Sequence, residues 1–151
     1  RSAATAGGQL MRALTLLLLA FWLTACGAPE PPVTVSDVDI TKPVPGRHMS
    51  AGFFVIANNT DETLRITRVE SPQFASVEIH ETTLEDGIAR MRELGELLVP
   101  ARGSVSLERG GKHLMLMRPK DLDESVTLHF FSDDTPMLTV DYTFDDRKND
   151  Q

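Results

Sequence analysis

From Val33 to Phe144 the apolar residues recur at alternate positions, in short runs broken by turn residues. Successive side chains of a strand point to opposite faces, so such runs make half-buried strands and cannot form the stripe of an amphipathic helix. The runs are VTVSDVDI (33–40), AGFFVIAN (51–58), TLRITRVE (63–70), FASVEIHE (74–81), ELLVP (96–100), SVSLE (104–108), HLMLM (113–117), SVTLHFF (125–131) and MLTVDYTF (137–144). Turn residues separate them, among them Asn58-Asn59-Thr60-Asp61, Asp86-Gly87, Arg102-Gly103 and Gly110-Gly111. No stretch sustains a 3.6-residue period, and LDES (122–125) could at most form one helical turn. Many short strands at a spacing of about 8–12 residues predict an antiparallel β-sandwich. Asn58-Asn59-Thr60 matches a glycosylation sequon and is read here as a hairpin turn.

Ahead of the strands the chain has a different plan. Residues 1–10 are small and polar, and Met11 looks like the initiator. MRALTLLLLAFWLTAC then places one basic residue, an apolar run and small residues before a cysteine, the three-part plan of a secretory signal. The apolar run falls short of the roughly 20 residues a membrane-spanning helix needs. Leu23-Thr24-Ala25-Cys26 resembles a bacterial lipobox, in which Cys26 is lipidated and becomes the new N-terminus. As the single cysteine of the chain it has no internal disulfide partner. These features predict an exported protein anchored to a membrane by lipid. In a cell with two membranes it would face the periplasm, and Gly27 resembles the residue after the cysteine in lipoproteins sent to the outer membrane. Residues 27–33, GAPEPPV, read as a proline-rich tether, 34–145 as the working domain and 146–151 as a disordered tail. The whole chain carries 15 basic and 22 acidic residues, net −7, and removal of residues 1–26 takes away Arg1 and Arg12 to leave −9. Such an acidic surface argues against nucleic-acid binding and against electrostatic adhesion to anionic lipid.

Several kinds of enzyme are tested by their motifs. The chain has no glycine-rich phosphate loop, no Cys-x-x-Cys and no Gly-x-Ser-x-Gly elbow. Its histidines and methionines are less ordinary. In GGKHLMLM (110–117) the leucines Leu114 and Leu116 share one face, while His113, Met115 and Met117 share the other. That second face is either a loosely packed edge or a site for a soft metal. VEIHE repeats the pattern, with Val77 and Ile79 opposite Glu78 and His80. Met91 lies between Arg90 and Arg92, an odd setting for a core methionine. A lone histidine on a polar face is usually surface, and a methionine near a strand end usually fills a gap.

Their spacing is more specific than any of them singly. Ten residues separate His80 from Met91, twenty-one separate Met91 from His113, and Met115 follows two beyond. This resembles the signature of the PCuAC family of periplasmic copper chaperones, His-(Met)-x10-Met-x21-His-x-Met. The resemblance extends through AGFFVIANNTDETLRITRVESPQFASVEIHE and ELLVPARGSVSLERGGKHLMLM, and covers residues 33–144. It implies an all-β, cupredoxin-like Greek-key sandwich with His80, Met91, His113 and Met115 as Cu(I) ligands. It also implies a carrier, not an enzyme: a monomer that exchanges copper with donor or acceptor proteins. Cytochrome c oxidase subunit II, with its dinuclear copper centre, and Sco-type assembly proteins are the implied partners. Arg109 stands where the family often has proline, and Glu81 where the signature allows methionine. The first of these is expected to alter the turn and spare the metal. The His/Met-rich extension of some relatives is absent.

The donor chemistry agrees with that reading. Thioether and imidazole suit soft Cu(I), and four neutral ligands do little to offset the charge of Zn²⁺, whose sites usually add thiolate, carboxylate or water. A thiolate would bind more strongly but is prone to oxidation outside the cytoplasm. An electron-transfer copper site would need a cysteine ligand, and Cys26 is committed to the anchor. Met117 is a candidate spare sulfur, and His48-Met49 a candidate auxiliary pair or the place of a second copper, as Cu(II). His129 reads as a partly exposed strand residue, and Glu78, Glu81 and Glu93 as carboxylates able to accept a bond from a ligand imidazole. Because imidazole ligates when neutral, Cu(I) affinity should fall as pH drops below about 6.5. Two rival readings use the same sequence. One is copper sequestration for tolerance without delivery. The other is a lipid-anchored scaffold in which the histidines and methionines are incidental.

Overall fold

The alternating runs become strands in a computed structural model, which describes residues 30–44, 46–120 and 124–144. The lipobox and signal segment, residues 27–29 of the tether, residues 121–123 of the LDES region and the tail after 144 lie outside the described residues. Eleven strands run through the described part: β1 (Val33–Ile40), β2 (Met49–Asn58), β3 (Leu64–Ile66), β4 (Arg68–Glu70), β5 (Phe74–Glu85), β6 (Ile88–Leu94), β7 (Leu97–Val99), β8 (Ser104–Leu107), β9 (Lys112–Pro119), β10 (Ser125–Ser132) and β11 (Thr135–Thr143). The main ladder is antiparallel throughout, in the order β1-β2-β9-β5-β4-β10-β11, and its end strands β1 and β11 approach each other. β8 joins it beside β2, and β6 beside β5. β3 and β7 form a separate two-stranded sheet whose Ile66, Leu97 and Val99 enter the same core. The architecture is all-β, a Greek-key sandwich of the cupredoxin kind.

Alternation fixes which face is core. β2 buries Gly52, Phe54 and Ile56, β5 buries Ile79 with Val77 packed against the same core, and β9 buries Leu114 and Leu116. Fully burying a leucine is worth about 1.5–3 kcal/mol. A one-residue slip of β9 would expose both leucines and drive His113 and Met115 inward, so the core pins the outer face in register.

Two parts of the sequence reading change. TLRITRVE is two strands, because β3 pairs β7 while β4 pairs β10 and β5. Asn58-Asn59-Thr60 is therefore not a hairpin turn but the link from one sheet to the other. Asn58 is buried there, and its Nδ2 donates to the carbonyls of Glu62 (2.7 Å), Pro100 (3.1 Å) and Val99 (3.2 Å). In contrast, Asp86-Gly87 closes a true hairpin between β5 and β6, with φ of 52° and 77°. Two successive positive φ values match the right-handed twist of a hairpin, and Asp-Gly supplies them readily.

Candidate metal centre

β5 is the strand that assembles the site. It has β9 along one edge, and on the other edge β4 gives way to β6, so His80 has a partner on each side. It stands directly opposite His113 on β9 and opposite Glu93 on β6. Cross-strand partners point to the same face, so the outer face can be described in rows. Met49, Met117 and Ser76 form one row across β2, β9 and β5. Ala51, Met115 and Glu78 form the next, then His113, His80 and Glu93, and finally Thr82 with Met91.

The two imidazoles are the centre of this face, with ring centroids 6.0 Å apart and planes inclined by 50°. A bond from imidazole to a metal is about 2 Å long. One ion can therefore lie between rings at this separation. Hydrogen bonding assigns each ring a tautomer. His80 Nε2 lies 2.9 Å from Glu78 Oε2, so it donates, leaving the lone pair on Nδ1. That Nδ1 is buried and has no hydrogen-bond partner. His113 Nδ1 donates to the Gly111 carbonyl at 3.0 Å, which leaves the lone pair on Nε2. Both histidines thus carry the second-atom hydrogen bond that typically orients a ligating ring. The donor set fits a metal, and the unpartnered nitrogen of His80 is the observation that says so.

Met115 is the diagonal neighbour of His80 toward Ser76, and Met91 is its diagonal neighbour toward the hairpin turn. Diagonal positions are about 7–8 Å apart at Cα, within reach of a long side chain. The structure thus brings His80, His113 and Met115 together. Met91 shares their face but sits two rows from Met115 and is 53% exposed. Among the described residues no three His, Cys, Asp or Glu side chains group as a hard-metal site would require.

His113 is buried although it lies on the outer face. The Phe53 ring stands 6.3 Å from it, and the Arg109 guanidinium covers Phe53 at 4.5 Å while pairing with Asp39 at 3.5 Å. Arg109 therefore does more than shape its turn. Phe53, an aromatic alternating onto the half-buried outward face of AGFFVIAN, was the sequence signal for this cover. Of the candidate carboxylates, Glu78 is the one that meets the His80 ring. Glu81 faces the other way, bonded to Arg92 (2.7 Å) and Lys112 (2.9 Å), which hold its carboxyl below the ordinary range. Met117 and Met49 face each other one row beyond Met115, whereas His48 is exposed just before β2. His129 is partly exposed on β10 and lies 3.1 Å from Thr139 Oγ1, away from these rows.

Comparison with known proteins fits this geometry. The family model described as "Putative lipoprotein LpqE-like" matches residues 33–144. The chain belongs to the LpqE-like family. "Putative lipoprotein Lxx21020" of Leifsonia xyli subsp. xyli is 29% identical over 147 residues, covering 87% of this chain and 89% of the relative. Among solved structures, the copper-bound PCuAC domain from PmoF2 superposes with a TM-score of 0.61 at 16% identity, over 74% of this chain and 91% of that one. At that identity the likeness speaks for the fold. Apo-DR1885 from Deinococcus radiodurans is 30% identical, with a TM-score of 0.56 over 80% of this chain and 83% of its own. The same protein has also been solved as CuI-DR1885, at 26% identity and a TM-score of 0.55 over 83% of this chain and 84% of its own. The LpqE-like chain thus has the PCuAC fold, as the resemblance implied.

Proposed function

We propose that this LpqE-like protein is a Cu(I) carrier that binds one ion through His80, His113, Met115 and Met91 and hands it to a partner. The facing imidazoles carry the reading, each with its second nitrogen hydrogen-bonded, one retaining a buried lone pair without a partner. The copper-bound state of PmoF2 and the Cu(I) state of DR1885 support it on the same fold. Two neutral imidazoles and two thioethers favour Cu(I) over Zn²⁺. Met91, on the exposed strand β6, is the ligand best placed to leave first, which suits transfer by ligand exchange. The protein's role is to hold and deliver, without turnover.

Cys26 would carry the lipid anchor that keeps the domain outside the cytoplasm, and the lipoprotein names of the family and of its Leifsonia relative support that placement. The recipient proposed is the dinuclear copper centre of cytochrome c oxidase, reached directly or through a Sco-type partner. Mixing the Cu(I)-loaded protein with the apo copper domain of oxidase subunit II tests delivery. Copper moving to that domain faster than from a small-molecule Cu(I) complex of equal affinity is the expected result. Copper retained through many equivalents of acceptor would instead favour sequestration.

A further inference from the structure

We propose a second Cu(I) site, made of thioethers alone, at Met49, Met117 and Met115. It rests on the copper reading above and shares Met115 with the histidine centre. Met49 and Met117 are direct cross-strand partners on β2 and β9, and Met115 occupies the next row of the same face. Opposite Met115 stands Ala51, whose methyl leaves the flank of the Met115 side chain open. A groove of about 650 Å³ opens there, and Met49, Ala51, Met115 and His48 contribute to its walls. Met49 is 58% exposed at its edge, so the apolar core does not explain its presence.

Three neutral sulfurs select a soft monovalent ion and disfavour Zn²⁺ and Cu²⁺. Arg47 and Arg109 also line the groove, and their charge opposes a cation there. The thioether site is therefore the weaker of the two. A weak, exposed site beside a stronger, covered one, with a ligand in common, is the arrangement of a landing for incoming or departing copper. Cu(I) passes between them by exchanging ligands about Met115, with no change of oxidation state.

The test is an anaerobic Cu(I) titration of the full chain in detergent, with ¹³C-labelled methionine methyls followed by NMR. The first equivalent should shift Met91 and Met115. The second should shift Met49 and Met117 and move Met115 again, with Met137 on β11 as an unmoved reference. In a Met49→Leu, Met117→Leu variant the first step should persist and the second disappear. Methyls of Met49 and Met117 that stay still through the second equivalent would overturn the proposal, as would a second step that survives in the variant. A motionless Met91 in the first equivalent would overturn the His/Met centre instead, a failure read from different signals.

Discussion

The tautomer of His80 is set by one neighbour, since Glu78 accepts from Nε2 and so exposes the lone pair of Nδ1 to a metal. Removing such an outer partner typically costs about 10–100-fold in metal affinity. Glu78→Ala should weaken Cu(I) binding by that factor in chelator competition, with little change in Tm, because its carboxylate is partly exposed. An unchanged affinity would show that the Glu78 bond does not orient the ring. Asn58 makes the opposite case. Its amide holds three backbone carbonyls and accepts from the Thr60 N–H at 3.0 Å, all far in sequence from the histidines. Asn58→Ala leaves those groups unmet, at about 1–3 kcal/mol for each that stays buried. Denaturant unfolding should register the loss, and copper affinity should not.

Strand β6 shows where the sequence stopped being legible. Every residue of Ile88–Glu93 is exposed, so no apolar alternation marks it, and only Asp86-Gly87 announced the hairpin. Spacing nevertheless made Met91 a candidate, because a signature counts residues and needs no knowledge of the strand carrying them. The split of TLRITRVE into β3 and β4 was hidden for another reason: Leu64, Ile66 and Val69 look alike whichever sheet receives them. β1, by contrast, was legible to the residue, since the prolines Pro31 and Pro32 precede it and its alternation stops at Ile40, just before Thr41-Lys42-Pro43. Gly87, at φ 77°, is conformationally obligatory in its turn, and a side chain there costs about 1–2 kcal/mol. Gly87→Val should therefore loosen β6, lower Cu(I) affinity through Met91 and raise hydrogen exchange in Ile88–Leu94 before any global loss of stability. Unaltered exchange in that segment would contradict this account of the hairpin.

Glu81 ties the same three strands together from the other face, with Arg92 on β6 and Lys112 on β9. The hydrogen bond from Arg92 comes first among the causes that depress its pKa, followed by that from Lys112. Its stabilising contribution is complete above the ordinary glutamate value of 4.5 and is lost as pH falls through the lower folded value. The Tm difference between the wild type and Glu81→Gln should therefore be largest at neutral pH and shrink in acid. A difference that grows on acidification would reverse the sign and refute the linkage.

At the scale of the molecule, the sandwich spends its apolar alternation on the core and presents the other half of each strand as a platform. Leu114 and Leu116 bury on one side of β9, and the same register delivers His113, Met115 and Met117 to the other. The facing of the two histidines was not readable from sequence, because the β5–β9 register depends on contacts more than thirty residues apart. Their grouping as a candidate set came from the resemblance of their residue types and spacing to the PCuAC signature, which needs no knowledge of register. The central claim is that these four side chains hold one Cu(I). The most direct measurement is competition of the full chain in detergent against a Cu(I) chelator, beside a Met91→Ala, Met115→Ala variant. The account predicts one tight equivalent that collapses in the variant. No tight binding, or binding untouched by loss of both sulfurs, would contradict it and leave the scaffold reading in its place.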